Sequence, residues 1–265
     1  MEHMRFLSKK NRAILREMTS TDFKLRYQGS ILGYLWSLMR PLFMFLVLYL
    51  VFVVFFKVGD TIPNFAIYLL LGIVLWTFFL EVTSNGLSAI VSRGELLRKI
   101  SIPRYLLVVS VSVSALINLG LNLLVVLIFA LISHVDFGWS ALLLPLILVE
   151  LYAFALGLAF ILSALYVRYR DISHIWEIIT QALFYATPIV YPLSRAPDDL
   201  KVIIMSSPVA QIIQDARFVF VTPKAETAWS VMGVYGMIPV AIVFVTCTIA
   251  FFYFRSAQRH FAEEL

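Results

Sequence analysis

Residues 227–254 contain no charged side chain, and neither do residues 41–56, 61–80 or 105–133. A helix needs about 20 mainly apolar residues to cross the hydrocarbon core of a bilayer. A soluble fold has no way to bury several such runs at once. Composition agrees: of 265 residues, 61% are hydrophobic and 14% charged, with a mean hydropathy of +0.91. A soluble domain carries about 25% charged residues. The pattern excludes a soluble globular, disordered or fibrous chain and predicts an all-α membrane protein.

Six transmembrane helices are expected, over about 31–56, 61–81, 105–133, 138–167, 172–193 and 227–254. Glu150 interrupts the fourth, and Glu177 lies near the start of the fifth. Segments 1–40, 93–104, 168–170 and 255–265 hold sixteen Lys and Arg, whereas the opposite loops hold five. Positive loops stay inside, so both termini are expected on the cytoplasmic side of the plasma membrane. The first 30 residues lack an apolar h-region, and the first span is expected to direct its own insertion. The net charge of +5 is absorbed by this topology pattern, and no nucleic-acid partner is expected.

Residues 1–30 read as a cytoplasmic amphipathic interface segment ahead of a transmembrane domain at 31–265. Over residues 4–18, Met4, Leu7, Ile14, Leu15 and Met18 fall on one arc of a helix, with Arg5, Lys9, Arg12 and Arg16 opposite. That is the pattern of a helix lying along a membrane surface. A topology anchor would explain the charges but not the apolar stripe. The opposite loop 195–226 mixes four acids and four bases with apolar residues. It is too long for a turn and too apolar for a linker. Short helices around Ile203–Met205 and Val209–Ile213, re-entering toward the membrane, are expected there.

Catalytic chemistry is missing. No stretch reads G-x-x-x-x-G-K-[ST], H-E-x-x-H or G-x-S-x-G. The single Cys247 forbids an intrachain disulfide, and His3, His134, His174 and His260 are scattered. The adjacent acids Asp198-Asp199 and Glu263-Glu264 read as turn and tail charges rather than a metal-holding pair. The chain is therefore expected not to be an enzyme, with no catalytic residue, metal or cofactor of its own. Glu81, Glu150 and Glu177 read either as ion-coupling groups or as polar contacts in a bundle. No Lys, Arg or His stands at a matching depth, which favours contacts. Aromatic clusters at Tyr34–Phe45, Trp76–Phe79 and Phe184–Tyr191 suit interfacial belts, and equally a lining for sugar rings.

Several segments resemble the ABC-2 type transporter permeases, and among them the branch exporting cell-surface polysaccharide. Arg26-Tyr27-Gln28-Gly29-Ser30-Ile31-Leu32-Gly33-Tyr34-Leu35-Trp36, ending in Arg40-Pro41, looks like that branch's approach to its first helix. Leu96 to Arg104 resembles its loop between spans two and three, and Val167-Arg168-Tyr169-Arg170-Asp171-Ile172 its [YF]-R-D-[IL] segment. Ala186-Thr187-Pro188-Ile189-Val190-Tyr191-Pro192, and Ser207-Pro208 through Arg217, are similar to its fifth-helix end and outer loop. Ser206-Ser207-Pro208 departs from the family's frequent Asn-Pro.

The resemblance implies a homodimeric channel for lipid-linked glycan (O-antigen, capsule or teichoic acid). Two copies of a separate ATPase subunit, holding ATP and Mg, would drive it. Arg98, Lys99, Arg104, Arg168, Arg170 and Asp171 would couple to that ATPase. Tyr27, Gly29 and Gly33 would form the helix-approach motif, the two glycines allowing close backbone approach. Pro188 and Pro192 would bend the outer end of span five. Trp36, Trp76, Phe79 and Tyr185 would line the channel, in contact with glycan. Two other readings stand beside this one: a permease for a drug or small amphiphile, and an intramembrane polyprenyl-linked transferase. Against the transferase stands the lack of a metal-binding carboxylate pair on the cytoplasmic side.

Overall fold

The computed structural model describes residues 8–27, 33, 35–57, 62–99, 102–259 and 261. Among these residues every regular element is helical. The α-helices are α1 (Lys9–Tyr27), α2 (Leu35–Tyr49), α3 (Phe65–Ser88), α4 (Gly94–Lys99), α5 (Tyr105–Ile132) and α6 (Leu144–Arg168). They continue as α7 (Ile172–Ala186), α8 (Asp198–Met205), α9 (Pro208–Phe220), α10 (Ala228–Met232) and α11 (Ile238–Ala257).

Five helical stretches are long and apolar enough to cross a membrane: Leu35–Phe55, Phe65–Ser88, Tyr105–Ile132, Trp139–Arg168 and Ala228–Ala257. These match five of the six expected spans to within a few residues. The sixth differs. Helix α7 has 15 residues where a span over 172–193 was expected. At 1.5 Å per residue it is about 22 Å long, short of the roughly 30 Å hydrocarbon core. Pro188 is the cause. A residue before proline is driven out of the α region, and Thr187 is extended at φ −83°, ψ 136°. Pro188 thus ends the helix rather than bending it.

Helix α3 is the centre of the bundle, packed against α2, α5, α6, α7 and α9. A helix apolar all round belongs inside, and Leu69, Leu71, Ile73 and Leu75 retain no exposed surface. Helix α6 carries α11 on its other flank. Helix α2 lies at the margin, burying only Pro41 and exposing Trp36, Phe43, Leu46 and Val47. It continues as a π-helix over Leu50–Phe55, where the Phe56 amide donates to the Val51 carbonyl five residues back.

Helix α1 begins inside the expected amphipathic stretch and runs on to Tyr27, since neither glycine nor proline interrupts the chain before Gly29. It packs against α5, with Asn11 Nδ2 donating to the Tyr105 hydroxyl at 3.0 Å. Residues 4–7 of that expected stretch lie outside the described residues. Loop 195–226 forms two helices, α8 and α9, longer than the short pieces expected. Most of α9 is buried, against α3 and α6.

Candidate transport and coupling site

The basic end of the bundle gathers the inter-helix residues 89–99, 102–104 and 169–171 with the ends of α1 and α11. Arg104, just before α5, donates to the Gln258 carbonyl beyond α11 and lies over the Phe261 ring at 5.7 Å. Phe254 joins this end to α6 through Phe160, at 4.8 Å between ring centroids. Arg168 stacks on Tyr169, and Arg170 on Tyr166, each at 5.3 Å. Both guanidinium groups and Asp171 are exposed, and among the described residues none of the three forms an ion pair. Asp171 also starts α7, its carbonyl accepting from the His174 and Ile175 amides. Arg98 and Lys99 close α4, but their side chains lie outside the described residues, as does all of Gly29.

Two residues of this end escaped the sequence reading. The Arg93 guanidinium makes an ion pair with Asp22 of α1 and donates to Ser110 Oγ of α5 at 3.1 Å. It also reaches the Leu107 carbonyl at 3.5 Å. One side chain thus ties α1, the α3–α4 junction and α5 together. The visible signal was an acid, Asp22, just beyond the amphipathic stretch in a mostly basic segment.

Gly33 has φ +49°, the left-handed region that favours glycine, and its carbonyl accepts from the Trp36 amide at 3.3 Å to start α2. Among the described residues nothing packs where its β-carbon would stand. Gly33 thus forms a turn ahead of α2. Tyr27 is the last residue of α1, and its side chain lies outside the described residues.

The four aromatic residues expected to line a path separate into two pairs. Trp36 on α2 is 49% exposed and Tyr185 on α7 is 71% exposed. Trp76 and Phe79 are 2% and 1% exposed. Their rings form a cluster: Trp76 with Phe184 at 5.8 Å, and Phe79 stacked on Phe154 at 6.0 Å and against Trp176 at 6.2 Å. A lining role for Trp76 and Phe79 is corrected accordingly, because they interlock α3, α6 and α7. Spacing alone did not separate the pairs, since α3 is apolar on every side.

At the opposite end the helix stopped by Pro188 leaves carbonyls without helical partners. Arg217 of α9 supplies donors. Its Nη1 reaches the Pro188 carbonyl at 2.5 Å, Nη2 the Ile189 carbonyl at 2.8 Å, and Nε the Tyr68 carbonyl at 2.9 Å. The guanidinium lies 3.7 Å from the centre of the Tyr68 ring. Complete burial pulls its pKa down, while Tyr68 opposes this. Tyr191 satisfies the end of α7 itself, its hydroxyl donating to the Ala186 carbonyl at 3.2 Å.

Two of the three acids expected within spans have contacts. Glu81 accepts from Asn118 Nδ2 at 2.8 Å. Glu150 meets Gln211 of α9, whose Nε2 donates to Asp215 at 2.6 Å. Glu177 is exposed. Among the described residues no group of three or more His, Cys, Asp or Glu is placed to hold a metal ion.

A family profile described as ABC-2 type transporter matches residues 15–221, from within α1 to the end of α9. The chain belongs to the ABC-2 type transporter family. An O-antigen export system permease protein, RfbA, of Myxococcus xanthus is 30% identical over 256 residues, covering 96% of each chain. A protein of the same name from Klebsiella pneumoniae is 27% identical over 211 residues, covering 78% of this ABC-2 chain and 80% of its own. Like those permeases, this ABC-2 protein is a multi-pass membrane chain.

Proposed function

We propose that this chain is the transmembrane subunit of an ATP-driven exporter that carries lipid-linked cell-surface polysaccharide across the plasma membrane. The observation that carries the reading is its likeness, over 96% of its length, to a permease named for O-antigen export. Two copies form the channel, and two copies of a separate ATPase drive it from the cytoplasm, holding the ATP and magnesium themselves. Both termini and the basic end face the cytoplasm, consistent with sixteen Lys and Arg against five. Helix α7 is the proposed fifth span, completed to the membrane surface by irregular backbone around Pro188. That backbone is tolerable at depth because Arg217 satisfies it. Helices α8 and α9 are the re-entrant outer pair, and α1 is the interface helix.

ATP-driven closure reaches the membrane through elements at the basic end. Arg98, Lys99, Arg168, Arg170 and Asp171 meet the ATPase, whereas Arg104 holds the end of α11 in place. Closure that moves α1 pulls on α5 through the Asp22–Arg93–Ser110 relay. In the channel, Trp36 and Tyr185 offer ring faces on which sugar C–H groups slide, each contact being weak by analogy with bases stacked on aromatics.

Deleting the gene in its native host tests this. Surface polysaccharide should disappear while lipid-linked glycan accumulates inside, and only the chain together with its ATPase should restore export. Unchanged surface glycan, with resistance to a small amphiphile lost instead, would mean a drug permease. In cysteine-accessibility labelling of a Cys247→Ser background, position 199 should react from outside the cell. Reaction there only after permeabilisation overturns the topology.

A further inference from the structure

A groove of about 450 Å³ lies between α1 and the first half of α5. One wall carries Arg12, Arg16 and Lys24, the other Val113 and Ile117 of the membrane span. The three cations are exposed, and among the described residues none has an ion-pair or side-chain hydrogen-bond partner. The remaining charges of α1 whose side chains are described are placed otherwise. Asp22 is engaged by Arg93, while Lys9, Lys10 and Glu17 do not line the groove. Thr19 also lines the groove. It is 8% exposed, yet its Oγ1 has no hydrogen-bond partner. A helical threonine usually returns its hydroxyl to a carbonyl of the preceding turn, as Thr83 does to Phe79. Thr19 instead keeps an unpartnered buried donor at the wall of the basic groove.

The two walls together define the ligand. Ile117 is 43% exposed on a helix long enough to cross the membrane, so an acyl chain reaches the groove from the bilayer without leaving it. Arg12 and Arg16 are one turn apart on α1, and Lys24 lies about 18 Å from Arg12 along the axis. Unpaired guanidinium groups beside a hydroxyl form charge-assisted hydrogen bonds with phosphate oxygens. Basic pockets between membrane helices on the cytoplasmic side suit anionic headgroups. We propose that this groove binds an anionic phospholipid, its phosphate held by Arg12, Arg16 and Thr19, Lys24 adding positive charge at the far end of the groove, and one acyl chain lying on Val113 and Ile117. Such a lipid staples α1 to α5. The inference rests on the reading of the bundle as membrane-embedded with its basic end inward, and it does not depend on what is exported.

The test uses the full-length chain purified in neutral detergent and offered equal amounts of phosphatidylglycerol and phosphatidylcholine. Native mass spectrometry then reads the lipid retained. Phosphatidylglycerol should be retained at least tenfold over phosphatidylcholine, at about fivefold for each basic side chain that reaches the headgroup. The Arg12→Gln, Arg16→Gln, Lys24→Gln variant should lose that preference. A matched loss of charge at the other end, Lys57→Gln, Arg195→Gln, Lys224→Gln, should keep it. Thr19→Val should lower retention severalfold, and Arg12→Lys with Arg16→Lys should preserve most of it, which separates lipid loss from misfolding. Equal retention of both lipids, or unchanged preference in the triple α1 variant, overturns the proposal. Displacement of phosphatidylglycerol by an equimolar polyprenyl diphosphate overturns it too, since the site would then belong to a carrier lipid. Lipid binding is read without any export assay, so its failure leaves the transport reading standing, and the reverse holds.

Discussion

The guanidinium of Arg217 occupies the space beside Gly72 where any other residue would place its β-carbon. Elsewhere a flexible arginine tip would swing aside. This one is fully buried and held by three carbonyls and the face of Tyr68, so it has nowhere to go. Gly72→Ala is therefore expected to destabilise the folded chain by about 2–3 kcal/mol, the order of losing one or two hydrogen bonds from a charged donor. Arg217→Lys should behave similarly, because an ammonium cannot reproduce a planar fork reaching several acceptors. Thermal unfolding in detergent checks both, and a wild-type midpoint for Gly72→Ala would show that the guanidinium is free to move.

Asp22 and Arg93 make a second prediction, on coupling. Asp22→Asn and Arg93→Gln should each lower export and export-linked ATP hydrolysis more than they lower expression. The exchange Asp22→Arg with Arg93→Asp should recover part of the loss. Charge reversal at Arg98 and Lys99 should weaken coupling without such mutual rescue, since those residues are proposed to meet the ATPase. Export assays on matched protein levels decide this, and wild-type export by the Arg98, Lys99 variant would leave those cations a topological role alone.

The division among the aromatic residues predicts two phenotypes for one kind of substitution. Trp76→Leu and Phe79→Leu should each cost about 2–4 kcal/mol of stability through lost packing in the cluster with Phe154, Trp176 and Phe184. Trp36→Leu and Tyr185→Leu, on exposed faces, should leave stability within about 0.5 kcal/mol yet slow glycan export. Wild-type export by the Trp36, Tyr185 double variant would show that those rings face lipid.

Asp215 predicts a pH dependence. Burial raises its carboxyl above the ordinary range, and hydrogen bonds from Gln211 and the Ala228 backbone only partly offset this. Glu150 stands beyond Gln211, and one oxygen on each of the three side chains lacks a partner. The folded chain therefore keeps this proton to a higher pH than the unfolded chain does. Its stabilising effect is full below the ordinary carboxylate pKa and is lost as pH rises through the raised value. The loss amounts to about 1.4 kcal/mol for each pH unit that separates the folded and unfolded values. Asp215→Asn should unfold at a temperature less dependent on pH between about pH 4 and pH 8. A wild-type slope in that variant would assign the dependence to other groups.

The long spans were legible because runs such as 105–133 and 227–254 admit no other fold. The extent of α7 was not. Composition continues apolar past Pro188, and only the backbone geometry of Thr187 shows where hydrogen bonding stops. Arg217 was visible as one of five basic residues off the basic side, and counting charges treated it like Lys224. Its register was the missed signal: it follows Ala210 and Ile213 on the apolar face of α9, and both are fully buried. The sidedness of α2 and α3 was equally hidden, because a uniformly apolar helix carries no mark of which face meets protein.

The acceptors of Arg217 lie 28, 29 and 149 residues earlier in the chain. A ribosome delivers Tyr68 and Pro188 to the membrane well before it delivers the arginine that joins them. Until then the Pro188 and Ile189 carbonyls lack this donor, and the site beside Gly72 stands open. The four spans up to Arg168 thus precede the lock, and the span Ala228–Ala257 follows it. A chain arrested before residue 217 would hold four of the five spans, without the clasp that joins α9 to α3 and to the backbone after α7.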